Sequence, residues 1–288
     1  MPYLFAIAAI GLWSSLALLA TRLNHLPPFL VLGVALLLGG LLSLPKYRHW
    51  HPKRSILQMG VFGIFGYHFA LFMAYRHAPA VEANLLNYLW PLLIVLLSPL
   101  YLAGFHLNRN HILGGVLGFS GAATVILGGN DASFNPDHGL GYVLGIAAAI
   151  IWARYSLLTR RSGDFSSATV GLFCLLAGVL ALVCHGLFET TPDLNQQDLI
   201  TMALLGLGPM GISFYCWDAA MKRGDPRTIG ALSYFTPLLS TGLLILFGDA
   251  PLSSNVVIAV ALISGGAVLG TLKIKAKTNK ADPQKSPA

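Results

Sequence analysis

Ten apolar stretches, each about twenty residues long, run almost end to end through the 288 residues. About 20 apolar residues in a helix cross a bilayer, and backbone in hydrocarbon must satisfy its own hydrogen bonds. A bundle of spanning helices meets both conditions. An alternating ten-residue pattern, the mark of a membrane β-barrel, is absent. Only 10% of the residues are charged, against roughly 25% in soluble domains, so most of the surface cannot face water. The fold class is therefore an all-α polytopic membrane protein. The spans read as 3–21, 28–45, 56–76, 79–100, 111–129, 139–159, 165–188, 198–221, 226–247 and 254–272. They are separated by turn-forming segments such as HLPP, KYRHWHPKR, NDASFNPDHG and GDAPLSS. The opening segment has no basic n-region and matches an internal one, so it reads as the first span rather than a cleaved signal.

The stretches fall into two groups of five, and the second group repeats the first. Tyr3 and Trp13 open one half in YLFAIAAIGLW, as Tyr142 and Trp152 open the other in YVLGIAAAIIW. At an offset of 146, Leu86, Tyr88, Pro91, Leu92 and Leu93 meet Leu232, Tyr234, Pro237, Leu238 and Leu239. Ser120-Gly121 and Ser264-Gly265 match in the last spans. An odd number of crossings reverses direction, so the copies form a 5+5 inverted-topology repeat. The boundaries are 1–130 and 138–272, followed by a disordered basic tail at 273–288. Inverted repeats commonly place a transporter's site near the bilayer midplane.

Of the eighteen Lys and Arg residues, fifteen fall on one side: ten in alternate loops and five in the tail. Arg22 and Arg76 fall on the other side, and Arg154 lies within a span. The positive-inside rule then makes both termini cytoplasmic. The basic balance is thus a topology signal with contact to membrane lipid, and nucleic acid is excluded as a partner. Cys174, Cys184 and Cys216 lie in apolar spans and read as small hydrophobes. No metal-ligand cluster or phosphate-cradling loop is present, so no cofactor is expected.

Pro91 and Pro237 each sit about eleven residues into a span, near half the hydrocarbon thickness. Each frees the carbonyl four residues earlier, of Asn87 and Ser233, and the two form a candidate pair of midplane hinges. A static kink is the competing account. Asn84, Asn87, Tyr88 and Pro91 share one helix face, and Gly230, Ser233, Tyr234, Pro237 and Thr241 repeat that stripe. Trp152 and Tyr155 add to it from the sixth span, and Trp13 and Trp90 also lie well inside their spans. Aromatic residues of membrane proteins favour the interfaces, so rings at mid-depth suggest an aromatic-lined central cavity, against ordinary interhelical packing. His68, beside Tyr67, is an intramembrane ionisable residue, either functional or a satisfied structural donor. No Asp or Glu sits at the centre of a span, and Glu82 and Asp218 read as loop-proximal. Transport coupled through a buried carboxylate is therefore not expected, and His68 is the candidate for any proton coupling.

Gly118-Phe119-Ser120-Gly121 matches the GxSG pattern of intramembrane serine proteases, but close helix packing explains it better than catalysis, and no enzyme is expected. Gly114…Gly118 and Gly266…Gly270 are GxxxG pairs that suggest close helix contact and a possible dimer face. The chain is therefore read as a monomer or weak homodimer.

Ten spans in two halves, with a proline in span four, resemble the drug/metabolite transporter superfamily and its EamA-type exporters. AYRHAPAVEANLLNYLWPLL, with YH in span three, is similar to the bacterial aromatic amino-acid exporter group. The resemblance implies a ten-helix inward-opening basket that exports aromatic amino acids, with Tyr67, His68, Tyr88, Trp90, Pro91 and Trp152 at its cavity. Span two departs from many relatives in lacking a basic residue near its start. The expected function is export of aromatic amino acids across a bacterial inner membrane by alternating access. Substrate binding is expected at Tyr67, His68, Asn84, Asn87, Tyr88, Trp90, Trp152, Tyr155, Ser233 and Tyr234. Other small metabolites or hydrophobic drugs, including purines and threonine-like amino acids, are the alternative cargo, and a polytopic intramembrane enzyme is the alternative class.

Overall fold

A computed structural model describes residues 1–127, 135–163, 165–247 and 254–271. The expected tail at 273–288 lies outside the described residues, as does part of the connection between the halves. Among the described residues the chain is helical, without strands. Counted through their kinks, seven helices are long and apolar enough to cross a membrane. Two shorter ones, Pro28–Leu41 and Ser254–Gly270, are also apolar. This is the architecture of a polytopic membrane protein.

The first half opens with α1 (Pro2–Ser14) and α2 (Leu16–Arg22), then α3 (Pro28–Leu41). Pro28 sits at the start of α3, where a missing N–H costs nothing. α4 (Arg54–Val61) runs through a π-helical turn at Phe62–Gly66 into α5 (Tyr67–His77). The fourth apolar stretch is two helices, α6 (Ala80–Asn87) and α7 (Trp90–Tyr101), and α8 (Arg109–Leu127) follows. The second half has α9 (Gly139–Arg161), α10 (Thr169–Phe188) and α11 (Gln196–Leu207). A second π turn at Gly208–Ile212 leads into α12 (Ser213–Arg223). Then come α13 (Pro226–Ser233), α14 (Phe235–Phe247) and α15 (Ser254–Thr271).

The offset of 146 read from single residues recurs in the elements. It carries the first π turn onto the second, α5 onto α12 and α6 onto α13, residue for residue. The spans that carry Pro91 and Pro237, the expected hinges, are each broken just before the proline. Each proline stands within the first three residues of a new helix, α7 or α14. Proline is tolerated there because the first N–H groups of a helix have no internal acceptor. The helices upstream already end at Asn87 and Ser233.

Two seams of small residues bring helices into backbone contact. A Cβ on Gly114 would lie 2.6 Å from the Gly266 carbonyl, and one on Gly266 2.7 Å from that of Gly114. The two GxxxG pairs therefore pack on each other within one chain, α8 against α15. The outward face they suggested is already occupied. Between α3 and α10, Gly33 and Gly178 approach in the same way, at 3.2 and 3.0 Å from each other's carbonyl. Lipid is as apolar as leucine, so such close van der Waals contact, not the hydrophobic effect, drives helix association here.

At one end of the bundle lie the loops carrying Lys46, Arg48, Arg109, Arg160, Lys222 and Arg227. At the other lie the ends of α2, α5 and α10 and the start of α6.

Candidate functional site

A cavity of about 550 Å³ lies between the two halves. Its floor is aromatic. Trp13, in α1, meets Trp90 at 6.2 Å, Trp152 at 5.7 Å and Trp217 at 5.0 Å between ring centroids, mostly edge to face. Trp13 and Trp152, the residues that first betrayed the repeat, are thus neighbours. Phe214 completes the group, 5.8 Å from Trp152 and 6.3 Å from Trp13.

The π turns help to hold this group. A π turn breaks the regular i→i−4 ladder and makes carbonyls available to side chains. His68 Nδ1 donates to the Ile64 carbonyl, inside the first π turn, at 2.8 Å. A carbonyl can only accept, so Nδ1 carries a hydrogen, and in the neutral ring Nε2 is left as an acceptor. Trp13 Nε1 donates to the Pro209 carbonyl, inside the second π turn, at 3.1 Å.

Tyr67, His68, Asn84, Asn87, Tyr88, Trp90 and Trp152 all line the cavity, as does Pro237. Asn87 donates from Nδ2 to Tyr67 Oη at 3.3 Å, and Tyr75 Oη donates to Asn84 Oδ1 at 3.4 Å. The remaining expected residues stand behind the wall. Tyr155 is buried, 5.3 Å from Trp152 by ring centroids and packed on Gly63. Ser233 donates to the Ile229 carbonyl at 2.8 Å. Tyr234 is fully buried beside Ala122 and Ile263. The carbonyl of Pro91 faces Gly230, where an added Cβ would come within 2.9 Å.

Tyr75, Phe214 and Thr236 also line the cavity and Trp217 underlies it, although sequence reading did not select them for the site. Phe214 and Thr236 are the counterparts of His68 and Trp90 at the offset of 146, and this was the signal that could have marked them. Among the described lining residues none is charged except by protonation of His68.

The cavity wall includes Leu16, Ala20, Tyr75, Ala80 and Val81, all toward the end opposite the basic loops. The opening is therefore away from the basic end; the inward-opening basket that the resemblance implies, taken with a cytoplasmic basic end, opens the other way. Below the floor the basic end is closed. Trp217 Nε1 donates to Ser156 Oγ at 2.9 Å. Asp218 pairs with Lys222 at 2.8 Å and accepts from Ser167, while Lys222 Nζ sits 3.4 Å from the centre of the Phe165 ring. Asp218 is completely buried, and Glu82 is buried too, accepting from Tyr142 Oη at 2.5 Å. Both stand near span ends, as expected, and helix packing there encloses them with partners. The GxSG serine, Ser120, is exposed and donates to the Val116 carbonyl, one turn back in its own helix.

The EamA-like transporter family matches twice, over residues 1–127 and 139–272. The chain belongs to that family. This bears out the EamA-type resemblance, and the protein is a transporter rather than an enzyme. Across 278 residues it is 40% identical to the aromatic amino acid exporter YddG of Ancylobacter novellus, covering 93% of this chain and 96% of that one. It is 27% identical to the aromatic amino acid exporter YddG of Escherichia coli, over 92% and 95% of the two chains. A solved crystal structure, 38% identical, superposes with a TM-score of 0.90 and covers 94% of this EamA protein and 95% of its own chain.

Proposed function

We propose that this protein exports aromatic amino acids across a bacterial inner membrane by alternating access. The observation that carries the proposal is the cavity of about 550 Å³ floored by Trp13, Trp90 and Trp152 and walled by Tyr67, Tyr88 and His68. An aromatic side chain stacks there edge to face or offset, and an ammonium can sit over a ring face. The names of the relatives support the same cargo.

On this reading the ten spans form an inverted 5+5 repeat with both termini in the cytoplasm. The closed, basic end then faces the cytoplasm and the cavity faces outward. Cargo loads when the Trp217 layer and the Asp218–Lys222 cluster part, with the breaks before Pro91 and Pro237 as pivots. Tyr67, His68, Asn84, Asn87, Tyr88, Trp90 and Trp152 contact the cargo, while Tyr155, Ser233 and Tyr234 brace them.

Proteoliposome counterflow tests the reading. Vesicles are loaded with unlabelled tryptophan, phenylalanine, threonine or a purine base, and uptake of the labelled counterpart is followed. Exchange of tryptophan and phenylalanine, with little for threonine or purine, is expected. Absence of exchange for both aromatic amino acids would defeat the proposal.

A further inference from the structure

The two broken stretches bring helix ends of opposite sign to the same cavity. α6 stops at Asn87, so its last carbonyls form a negative end, and the thirteen-residue α14 begins at Phe235, so its first N–H groups form a positive one. A side chain at each of these ends is buried and unsatisfied. Asn87 is 4% exposed and Thr236 6%. Asn87 Oδ1 and Thr236 Oγ1 have no hydrogen-bond partner, and both residues line the cavity. Buried polar atoms are nearly always paired, so two orphans lining one cavity point to a guest that pairs them.

The pseudo-symmetric positions lack this property. Ser233, the counterpart of Asn87, is satisfied by the Ile229 carbonyl. Trp90, the counterpart of Thr236, offers a ring instead of a hydroxyl. One helix start thus presents an aromatic surface and the other a hydrogen-bond donor.

We infer that Thr236 and the N-terminal end of α14 bind the cargo's carboxylate, and that Asn87 Oδ1, at the C-terminal end of α6, takes its ammonium. This rests on the export reading above. Asn87 Nδ2 is committed to Tyr67, which leaves its amide an acceptor for an ammonium. The threonine hydroxyl donates to a carboxylate, and helix N-termini favour anions. Asn87 Oδ1 and Thr236 Oγ1 are both covered in the empty cavity, so each side chain turns to meet the guest. A zwitterion satisfies both ends without a charged side chain.

The test compares tryptophan with tryptamine, which has the same ring and ammonium but no carboxylate, as inhibitors of tryptophan counterflow. Thr236→Val should raise the half-inhibitory concentration of tryptophan about tenfold and move that of tryptamine less than about twofold. Thr236→Ser should retain the wild-type ratio of the two. Asn87→Leu should weaken both inhibitors and spare indole-3-propionate, which lacks the ammonium. Should Thr236→Val fail to fold, Thr236→Ala carries the same comparison. An unchanged tryptophan value, or an equal loss for tryptophan and tryptamine, overturns the assignment. A wild type that exchanges no aromatic amino acid brings down the export reading itself.

Discussion

Histidine 68 and tryptophan 90 show how one residue can serve packing and binding together. His68 is buried, tied to the Ile64 carbonyl and flanked by Tyr67, Phe72 and Phe214. Trp90 contacts Trp13 and Trp217 edge to face. Each also lines the cavity. His68→Ala and Trp90→Ala should each slow tryptophan exchange about tenfold or more, the loss of some 1.4 kcal/mol or more of cargo stabilisation. The purified variants should remain folded by size-exclusion chromatography. Unchanged kinetics in both would return the aromatic floor to a packing role. The placement of most site residues was legible in the sequence because aromatic and amide side chains at mid-span break the apolar pattern. Thr236 was not selected for the site, because a lone threonine in a membrane helix is ordinary in composition. Its place opposite Trp90 at the offset of 146 was the sequence signal; its missing partner is a three-dimensional fact.

Helix stops and starts were partly legible as well. The apolar stretches and their order follow from apolar length and turn residues, and the recurrence at 146 from matched residues such as Tyr88 with Tyr234. The π turns did not, because an extra residue in a turn leaves the local composition unchanged. The proline positions were visible, but not that a new helix begins at each: a proline stands in a first turn as readily as it bends a helix. Glycine pairs were visible too, but their partner is set by tertiary packing. Gly114→Val should destabilise strongly, since its Cβ would lie 2.6 Å from the Gly266 carbonyl and 2.7 Å from the Gly270 backbone. Overpacking of this kind costs about 1–3 kcal/mol or more. The expected result is a lower melting temperature in detergent, while Gly11→Val, where no atom lies within 4 Å, should be neutral by the same measurement.

For the molecule as a whole, the open and closed ends give a sided prediction. With the native cysteines replaced, Val81→Cys at the cavity mouth should react with a membrane-impermeant maleimide in intact cells. Lys46→Cys, exposed at the basic end, should react only after permeabilisation. The reverse pattern would invert the proposed orientation. The opening direction was beyond the sequence, since on the proposed alternating-access reading both open forms share every residue. The glycine seam between α8 and α15 bears on how the chain is joined. These are the last helices of the two halves, and they interlock through backbone contact rather than through the peptide that links the halves. Continuity of the polypeptide should then be dispensable to that union. Residues 1–130 and 138–288, made as separate chains in one cell, should find each other in the bilayer and restore exchange, and Gly114→Val should prevent their pairing.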